Sequence, residues 1–337
     1  MMTLFGDPEI WLPVAFAAMM GLSILVYVCL DGFDLGVGLL FPFAEGDEKD
    51  RMVASIGPFW DANESWLVLA IGILLVAFPA AHGTILTALY LPVAVMLVGL
   101  ILRGVAFEFR AKVAPERKAR WNHAFYAGSL MTSLSQGYML GMYVMGLQIT
   151  WFTLAFSLLT AMFLTVAYSF IGATWLILKT DGALQRKAVG WSRGGIWGVV
   201  LGMGAISLAT PLVSPRIFEK WFSVPEIFLL MPLPLMAGGL IVLLWLLLRQ
   251  MPKSDDRLAW APFTVTTILF ALGFFGMAYS FYPYVVPETL TIYEAASAPE
   301  SLVIIFAGTL FVLPMIAGYS VLSYVIFRGK ATELRYD

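Results

Sequence analysis

Pro79-Ala-Ala-His-Gly83 decides how this chain folds, because it interrupts an apolar stretch that otherwise runs from about residue 55 to about residue 107. A bilayer's hydrocarbon layer takes roughly 20 helical residues to cross, so the stretch is too long for a single helix. Proline and glycine together mark a tight turn. A turn here divides the stretch into helices at about 55–81 and 84–107.

Outward from that break, further apolar segments fall at about 10–41, 121–147, 151–178, 194–213, 223–248, 260–286 and 300–327, which makes nine crossings. Composition agrees: 60% of the 337 residues are hydrophobic and 12% are charged, against about 45–50% and 25% in a soluble domain. The expected fold class is an all-α polytopic membrane protein, with residues 1–337 forming one transmembrane unit and no room for a large soluble domain. The first segment follows an acidic start without Lys or Arg and is expected to be an uncleaved helix. Cys29 is the only cysteine, so this chain alone forms no disulfide or thiolate metal site. The formal net charge of -2 says little about partners, and nothing points to nucleic acid.

Basic residues test the count, because Lys and Arg concentrate in cytoplasmic loops. With nine helices one side receives Lys49 and Arg51, then Arg103, Arg110, Lys112, Arg117, Lys118 and Arg120. It also receives Lys179, Arg186, Lys187 and Arg193, then Arg249, Lys253 and Arg257, and finally Arg328, Lys330 and Arg335. Only Arg216 and Lys220 of the 20 basic residues fall on the other side. The N-terminus is therefore expected outside and the C-terminus in the cytoplasm. Removing the break at Pro79 would scatter this bias. The longer outer loops, Pro211 to Pro225 and Pro283 to Pro299, could cap a partner or lie on the outer surface; the second carries Glu288, Glu294 and Glu300.

Ionisable residues inside a membrane are costly and are the first functional candidates. Leu30-Asp-Gly-Phe-Asp-Leu-Gly-Val-Gly38 places Asp31 and Asp34 on one helix face, near the expected cytoplasmic boundary. Phe59-Trp-Asp-Ala-Asn-Glu-Ser-Trp66 starts the next helix from that side with Asp61, Asn63 and Glu64 between Trp60 and Trp66. Carboxylates from the two helices could meet and relay protons, since burial and like charges bring carboxyls toward exchange near neutrality. Two bland roles stand beside this. Asp61 could serve the free N–H groups of a helix start, and Asp31 and Asp34 could pair with Arg103 or Lys112. Leu102-Arg-Gly-Val-Ala-Phe-Glu-Phe-Arg110 closes the third helix with Arg103 and Glu108 as cytoplasmic ion-pair candidates. The glycines around Asp34 end an apolar helix and do not form a phosphate loop.

Gln136, in Ser133-Leu-Ser-Gln-Gly137, is a deep polar residue whose amide should seek a partner on another helix; packing and ligand binding both remain open for it. The 17 methionines suit adaptable packing. His82 and His123 fall near opposite faces, so they cannot form a bis-His haem pair from neighbouring depths, and no metal site is expected.

Three runs together, Asp31-Gly-Phe-Asp-Leu-Gly-Val-Gly38, Trp60-Asp-Ala-Asn-Glu-Ser-Trp66 and Arg103-Gly-Val-Ala-Phe-Glu-Phe-Arg110, resemble subunit II of cytochrome bd-type quinol oxidases in order and spacing. The likeness is sharpest over the first 145 residues, including Ser135-Gln-Gly137. The compact chain with short cytoplasmic loops looks more like the cyanide-insensitive branch. The resemblance implies two four-helix bundles plus a peripheral helix, in the bacterial cytoplasmic (inner) membrane. It also implies a haem-bearing subunit I that oxidises quinol and reduces oxygen to water with cytoplasmic protons. Haem b, with haem d-type or further b-type haems, would belong to that partner, and none would be ligated by this chain alone. A small accessory subunit and a structural quinone are compatible with the resemblance. Carried onto this chain, Trp60, Asp61, Asn63 and Trp66 match the second-helix motif, with Asp61 the proton-channel carboxylate. Asp31 and Asp34 match the first-helix pair.

Two rivals stand beside this reading. A secondary transporter would also have many helices and intramembrane carboxylates, but its site usually lies near the midplane at broken helices. A purely structural membrane subunit would use the aspartates as caps and ion pairs.

Overall fold

The computed structural model describes residues 7–253 and 256–331; Arg335, counted above with the basic tail, lies outside them. Asp7 starts α1 (Pro8–Leu40) by accepting from the Glu9 amide at 3.0 Å, which satisfies one of the free donors of a helix start. A 3-10 turn at Phe41–Phe43 follows. Next comes α2 (Asp47–Ile56), whose first turn carries Asp47, Glu48 and Asp50, charges suited to the positive helix end. Then come α3 (Trp60–Ala77), α4 (Pro79–Lys112), α5 (Pro115–Val144), α6 (Trp151–Lys179) and α7 (Gly182–Val213). Short α8 (Pro215–Phe222) and α9 (Glu226–Leu230) lead into α10 (Pro232–Arg249) and α11 (Trp260–Phe281). A two-stranded hairpin, β1 (Tyr284–Val286) with β2 (Leu290–Thr291), leads through α12 (Ile292–Ala295) to α13 (Pro299–Ile326).

Among the described residues, eight helices are long and apolar enough to cross a membrane: α1, α3, α4, α6, α7, α9 with α10, α11 and α13. The chain is thus an all-α polytopic membrane protein. The remaining long helix, α5, has 30 residues and is more polar because it begins Pro115-Glu-Arg-Lys-Ala-Arg120 and because its small polar residues turn inward. Ser129, Thr132 and Ser133 are fully buried. The Ser129 and Ser133 hydroxyls donate to carbonyls one turn back, at 2.9 Å and 2.7 Å.

The helices close two rings. One runs α1, α3, α4, α5 and back to α1; the other runs α6, α7, α10, α11 and back to α6. The rings join through α1 and α5 against α6, and α13 lies outside on α3 and α1. Small residues let the backbones touch, as expected where water cannot drive association. A Cβ on Gly36 would fall on the Tyr168 carbonyl, and one on Gly172 would lie 2.5 Å from the Gly36 carbonyl carbon. Gly99 and Gly128 bring α4 and α5 together in the same way.

Several boundaries differ from the sequence expectation. The break lies on Phe78 (φ -131, ψ 59), and Pro79 to Gly83 form the first turns of α4 rather than a tight turn. Proline is welcome where its missing N–H would be unpaired anyway, and it pushes the preceding residue out of the helical region. The chain still doubles back there. Trp60 at the start of α3 lies 5.6 Å from Phe107 near the end of α4, and Glu64 lies 3.8 Å from Arg103. The segment expected at 260–286 stops at Phe281 because Tyr282 precedes Pro283 and turns extended. The loop after α1 contains a helix, α2, whose Met52, Val53 and Ile56 are buried against the core.

Ion pairs show which loops share an end. Asp50 of α2 meets Arg110 at 2.7 Å and Lys118 at 3.2 Å, Glu48 meets Lys187 at 2.7 Å, and Arg51 meets Asp181 at 3.2 Å. Lys330 reaches Asp256 at 2.5 Å. At the other end Arg216 meets Glu288 at 3.2 Å, and Ser297 donates to Ala77 across the α3/α4 reversal. The two longer loops expected on the outside thus pack on each other and on the α3/α4 reversal of this chain.

Candidate functional site

The site is built at the basic end, where the last three turns of α1 meet the first turns of α3 and the end of α4. A helix turns about 100° per residue, so Asn63 points almost opposite to Asp61. Asn63 is fully buried, whereas Asp61 is exposed on the surface of the chain. Asp31 and Asp34 are 0% and 1% exposed. They lie inside the bundle, not at its mouth as the sequence suggested, because the 3-10 turn and α2 form a roof beneath them. Phe41, Met52, Ile56 and Phe59 are the buried apolar residues of that roof.

Arg103 Nη2 donates to Asp31 Oδ1 at 2.6 Å and lies 3.8 Å from Glu64 Oε2. Burying Asp31 and Asp34 is costly unless they are paired and hydrogen-bonded, and Arg103, itself 3% exposed, supplies one full charge. Asn63 Nδ2 donates to Asp34 Oδ2 at 2.8 Å and to the Leu30 carbonyl at 3.4 Å. The Asn63 carbonyl oxygen accepts from the Tyr324 hydroxyl at 2.9 Å, which ties α13 to the site. Asp34 Oδ1 and Arg103 Nη1 are buried without a hydrogen-bond partner. Both residues line a cavity of about 10 Å³ together with Ile56, Trp60, Gly104, Phe107 and Phe125, a space at the lower limit for one water.

The structure thus brings together Asp31, Asp34, Asn63, Glu64 and Arg103, with Trp60 as a wall. Glu64 keeps 27% of its side chain exposed, so the cluster is continuous with the surface through the face it shares with Asp61. Other candidates lie apart. Glu108 pairs with Lys112 at 3.5 Å, not with the cluster, and Trp66 Nε1 donates to Ser320 of α13 at 3.0 Å. The N-cap of α3 is Phe59, and no side chain caps that helix. Asp61 therefore has the favourable charge of a first-turn acid but is not a hydrogen-bonding cap.

Gln136 finds the interhelical partners its depth required. Its Nε2 donates to the Tyr27 hydroxyl of α1 at 2.6 Å, and its Oε1 accepts from the Tyr168 hydroxyl of α6 at 2.7 Å. Sequence reasoning missed Tyr27, Tyr168 and Tyr324. Tyr27 carried a usable signal, being one turn before Asp31 on the same face; the other two come from distant helices.

His82 is half-buried in the first turn of α4, at the end opposite the cluster, and His123 is exposed with Nδ1 2.7 Å from the Ala119 carbonyl. Lying at opposite ends of the helices, these two residues do not form a bis-His pair. Among the described residues no group of three or more His, Cys, Asp or Glu side chains could hold a metal ion.

Comparison with known proteins places this geometry in a family. The family model for "Cytochrome bd terminal oxidase subunit II" matches residues 12–327. The chain is 28% identical to "Cytochrome bd ubiquinol oxidase subunit 2" of Bacillus subtilis (strain 168), over 90% of this chain and 92% of that one. It is 25% identical to "Cytochrome bd-I ubiquinol oxidase subunit 2" of Escherichia coli (strain K12), over 94% of both. Its fold matches a chain of the solved bd oxidase from Geobacillus thermodenitrificans with a TM-score of 0.77 at 17% identity, covering 95% of this chain and all of that one. The chain belongs to the cytochrome bd terminal oxidase subunit II family.

Proposed function

We propose that this chain is the haem-free subunit of a bd-type quinol oxidase in the bacterial cytoplasmic membrane, and that it both holds the haem-bearing subunit I and delivers cytoplasmic protons toward oxygen reduction. In this reading α5 also crosses the membrane, giving nine crossings, with the N-terminus outside and the basic end in the cytoplasm. The interlinked basic loops and the antiparallel packing of α5 between α4 and α6 support it. Haem and quinol chemistry belong to the partner in this reading, since His82 and His123 lie at opposite ends of the helices and cannot supply a bis-His haem pair; a quinone within this chain has no assigned residues.

One observation carries the proton reading. Arg103 holds Asp31 and the part-exposed Glu64 beside buried Asp34, and among the described residues the cluster meets the surface at Glu64, next to exposed Asp61. A proton taken up at Asp61 passes to Glu64, and from there to the water-sized space beside Arg103. That space is lined by Asp34, whose Oδ1 is free to accept the proton. Asn63 holds the other oxygen of Asp34, and Trp60 closes the side of the space. Asp61 lies on the surface of this chain, where a partner subunit could cover it.

The test is quinol-driven oxygen uptake per haem on the complex purified through a tag on this chain. Asp34→Asn should slow uptake by about a hundredfold, the lower end of what a positioned proton-transfer group contributes, and Asp61→Asn should slow it less. Parental turnover in both variants would leave the cluster a structural ion-pair site. Solute flux by the chain reconstituted alone would instead favour a transporter.

A further inference from the structure

We propose that Lys179 is a positioning residue of the acid cluster: by fixing the end of α13 it holds the Tyr324 hydroxyl on Asn63, the residue whose amide Asp34 accepts. Resting on the proton-path reading above, this role adds to it a cation that pairs with none of the cluster's acids.

Lys179 ends α6 and is 4% exposed. A buried ammonium is costly unless its charge and its donors are met. Among the described residues two carbonyls and two rings meet it, and no carboxylate does. Its Nζ donates to the Phe327 carbonyl at 2.5 Å and to the Gly329 carbonyl at 3.0 Å. It lies 4.9 Å from the ring centre of Phe59 and 5.1 Å from that of Trp175, both within the range of cation–π attraction. Phe327 is the C-cap of α13, and at a helix C-terminus the carbonyls lack helical partners and the dipole favours a cation. The tail holds α6 in return. The Ala331 amide donates to the Lys179 carbonyl at 2.8 Å, and Lys330 donates to the Thr180 carbonyl at 2.9 Å and meets Asp256 at 2.5 Å. Residues 327–331 are thus strapped along the end of α6.

Tyr324 lies one turn before Phe327, so the hold on the helix end sets the height and rotation at which its hydroxyl reaches Asn63. That hydroxyl donates to Asn63 Oδ1 at 2.9 Å, and Asn63 Nδ2 donates to Asp34 Oδ2 at 2.8 Å. An amide has one acceptor arm and one donor arm, so a hydroxyl that donates to the oxygen leaves the nitrogen for Asp34. The rings repeat the link. Phe59 stacks on Tyr324 with centroids 4.6 Å apart, and Trp175 meets both rings edge-on; Phe59 and Trp175 are the two rings beside the Lys179 ammonium. Helix α13 depends on such a hold, because it packs on α3 and α1 from outside the rings and buries Leu302, Thr309, Ser320 and Ser323 alone. Trp66 fixes Ser320 one turn before Tyr324 and Lys179 fixes the turn after it, so Tyr324 is held from both sides.

The experiment uses the complex purified with its partner and records oxygen uptake per haem together with the infrared tyrosine band that Tyr324→Phe removes. Tyr324→Phe should slow uptake about fivefold, the weight of one hydrogen bond. Lys179→Met should slow it by a similar factor and shift the Tyr324 band, and Lys179→Arg, which keeps the charge and the donors, should return both toward the parent. The double variant of Lys179→Met with Tyr324→Phe should be no slower than Tyr324→Phe alone, because residues acting through one contact are not additive. Lys179→Gln, which keeps a donor and drops the charge, serves the same comparison where Lys179→Met assembles poorly. Slowing in the double variant by the product of the two single factors, or an unshifted Tyr324 band in the Lys179 variants, would overturn the assignment and leave Lys179 a helix cap. A slowed Asp34→Asn beside Lys179 variants with parental uptake and band defeats this role alone. Parental uptake in Asp34→Asn, with the Tyr324 band still shifted by Lys179→Met, defeats the proton-path reading instead.

Discussion

Arg103 Nη2 stands 2.6 Å from Asp31 Oδ1, and neither side chain is more than 4% exposed. The pair joins α4 to α1 across the interior of the first helix ring. Breaking a buried pair by removing one partner is far more damaging than replacing both, because it strands an uncompensated charge. Arg103→Met should therefore destabilise the protein by about 3–5 kcal/mol and lower the yield of assembled complex. Adding Asp31→Asn should recover part of that yield. Thermal melting of the purified variants decides it: a single variant as stable as the parent would mean that the pair carries little of the fold.

Much of this site was legible before the structure, because the deciding spacings are local. Asp31 with Asp34, and Asn63 with Glu64, sit within one turn of each other, and Arg103 sits near the end of a helix that must return to the same side. Asp61 shows the limit of that reasoning: three residues before Glu64 it shares that residue's face, yet the ring closes on Asn63 and leaves Asp61 outside. Tyr324 reaches Asn63 across 261 positions, a distance over which no local pattern speaks. The roof formed by α2 was hidden because Asp47-Glu-Lys-Asp-Arg51 reads as a charged loop, while its apolar side appears only in Met52, Val53 and Ile56. The sidedness of the basic residues was the strongest long-range signal. The ion pairs of Glu48, Asp50 and Arg51 with three later segments carry the same grouping.

The crossing of α1 and α6 at Gly36 and Gly172 leaves no space for a methyl group. A Cβ at Gly36 would overlap the backbone carbonyl of Tyr168, and backbone cannot swing aside as a flexible side chain can. Overpacking of a well-packed site costs typically about 1–3 kcal/mol, and Gly36→Ala should reach or exceed the top of that range. It should also disturb the Tyr168 hydrogen bond to Gln136. Gly190→Ala is the matched control, since open space surrounds Gly190 on α7 and alanine is the better helix former. Equal melting temperatures for the two variants would show that the crossing can relax.

Asp50 lies outside the membrane-spanning helices and ties α2 to the end of α4 and the start of α5. Burial of its carboxyl acts to raise its pKa, but hydrogen bonds and charge from Arg110 and Lys118 outweigh that and hold it below the usual carboxylate range. A carboxyl depressed in the folded state contributes stability that is fully present above its unfolded value, about 3.9. That contribution is lost as pH falls through the folded value. The side chain is 39% exposed, so solvent screening limits the effect to about 1 kcal/mol or less. Asp50→Asn should therefore melt below the parent near neutrality, and the gap should close on acidification below the unfolded carboxyl value. Raised salt near neutrality should narrow it too, because partly exposed pairs are screened. A gap that persists unchanged in acid would assign the loss to packing of α2 and not to the charge of Asp50.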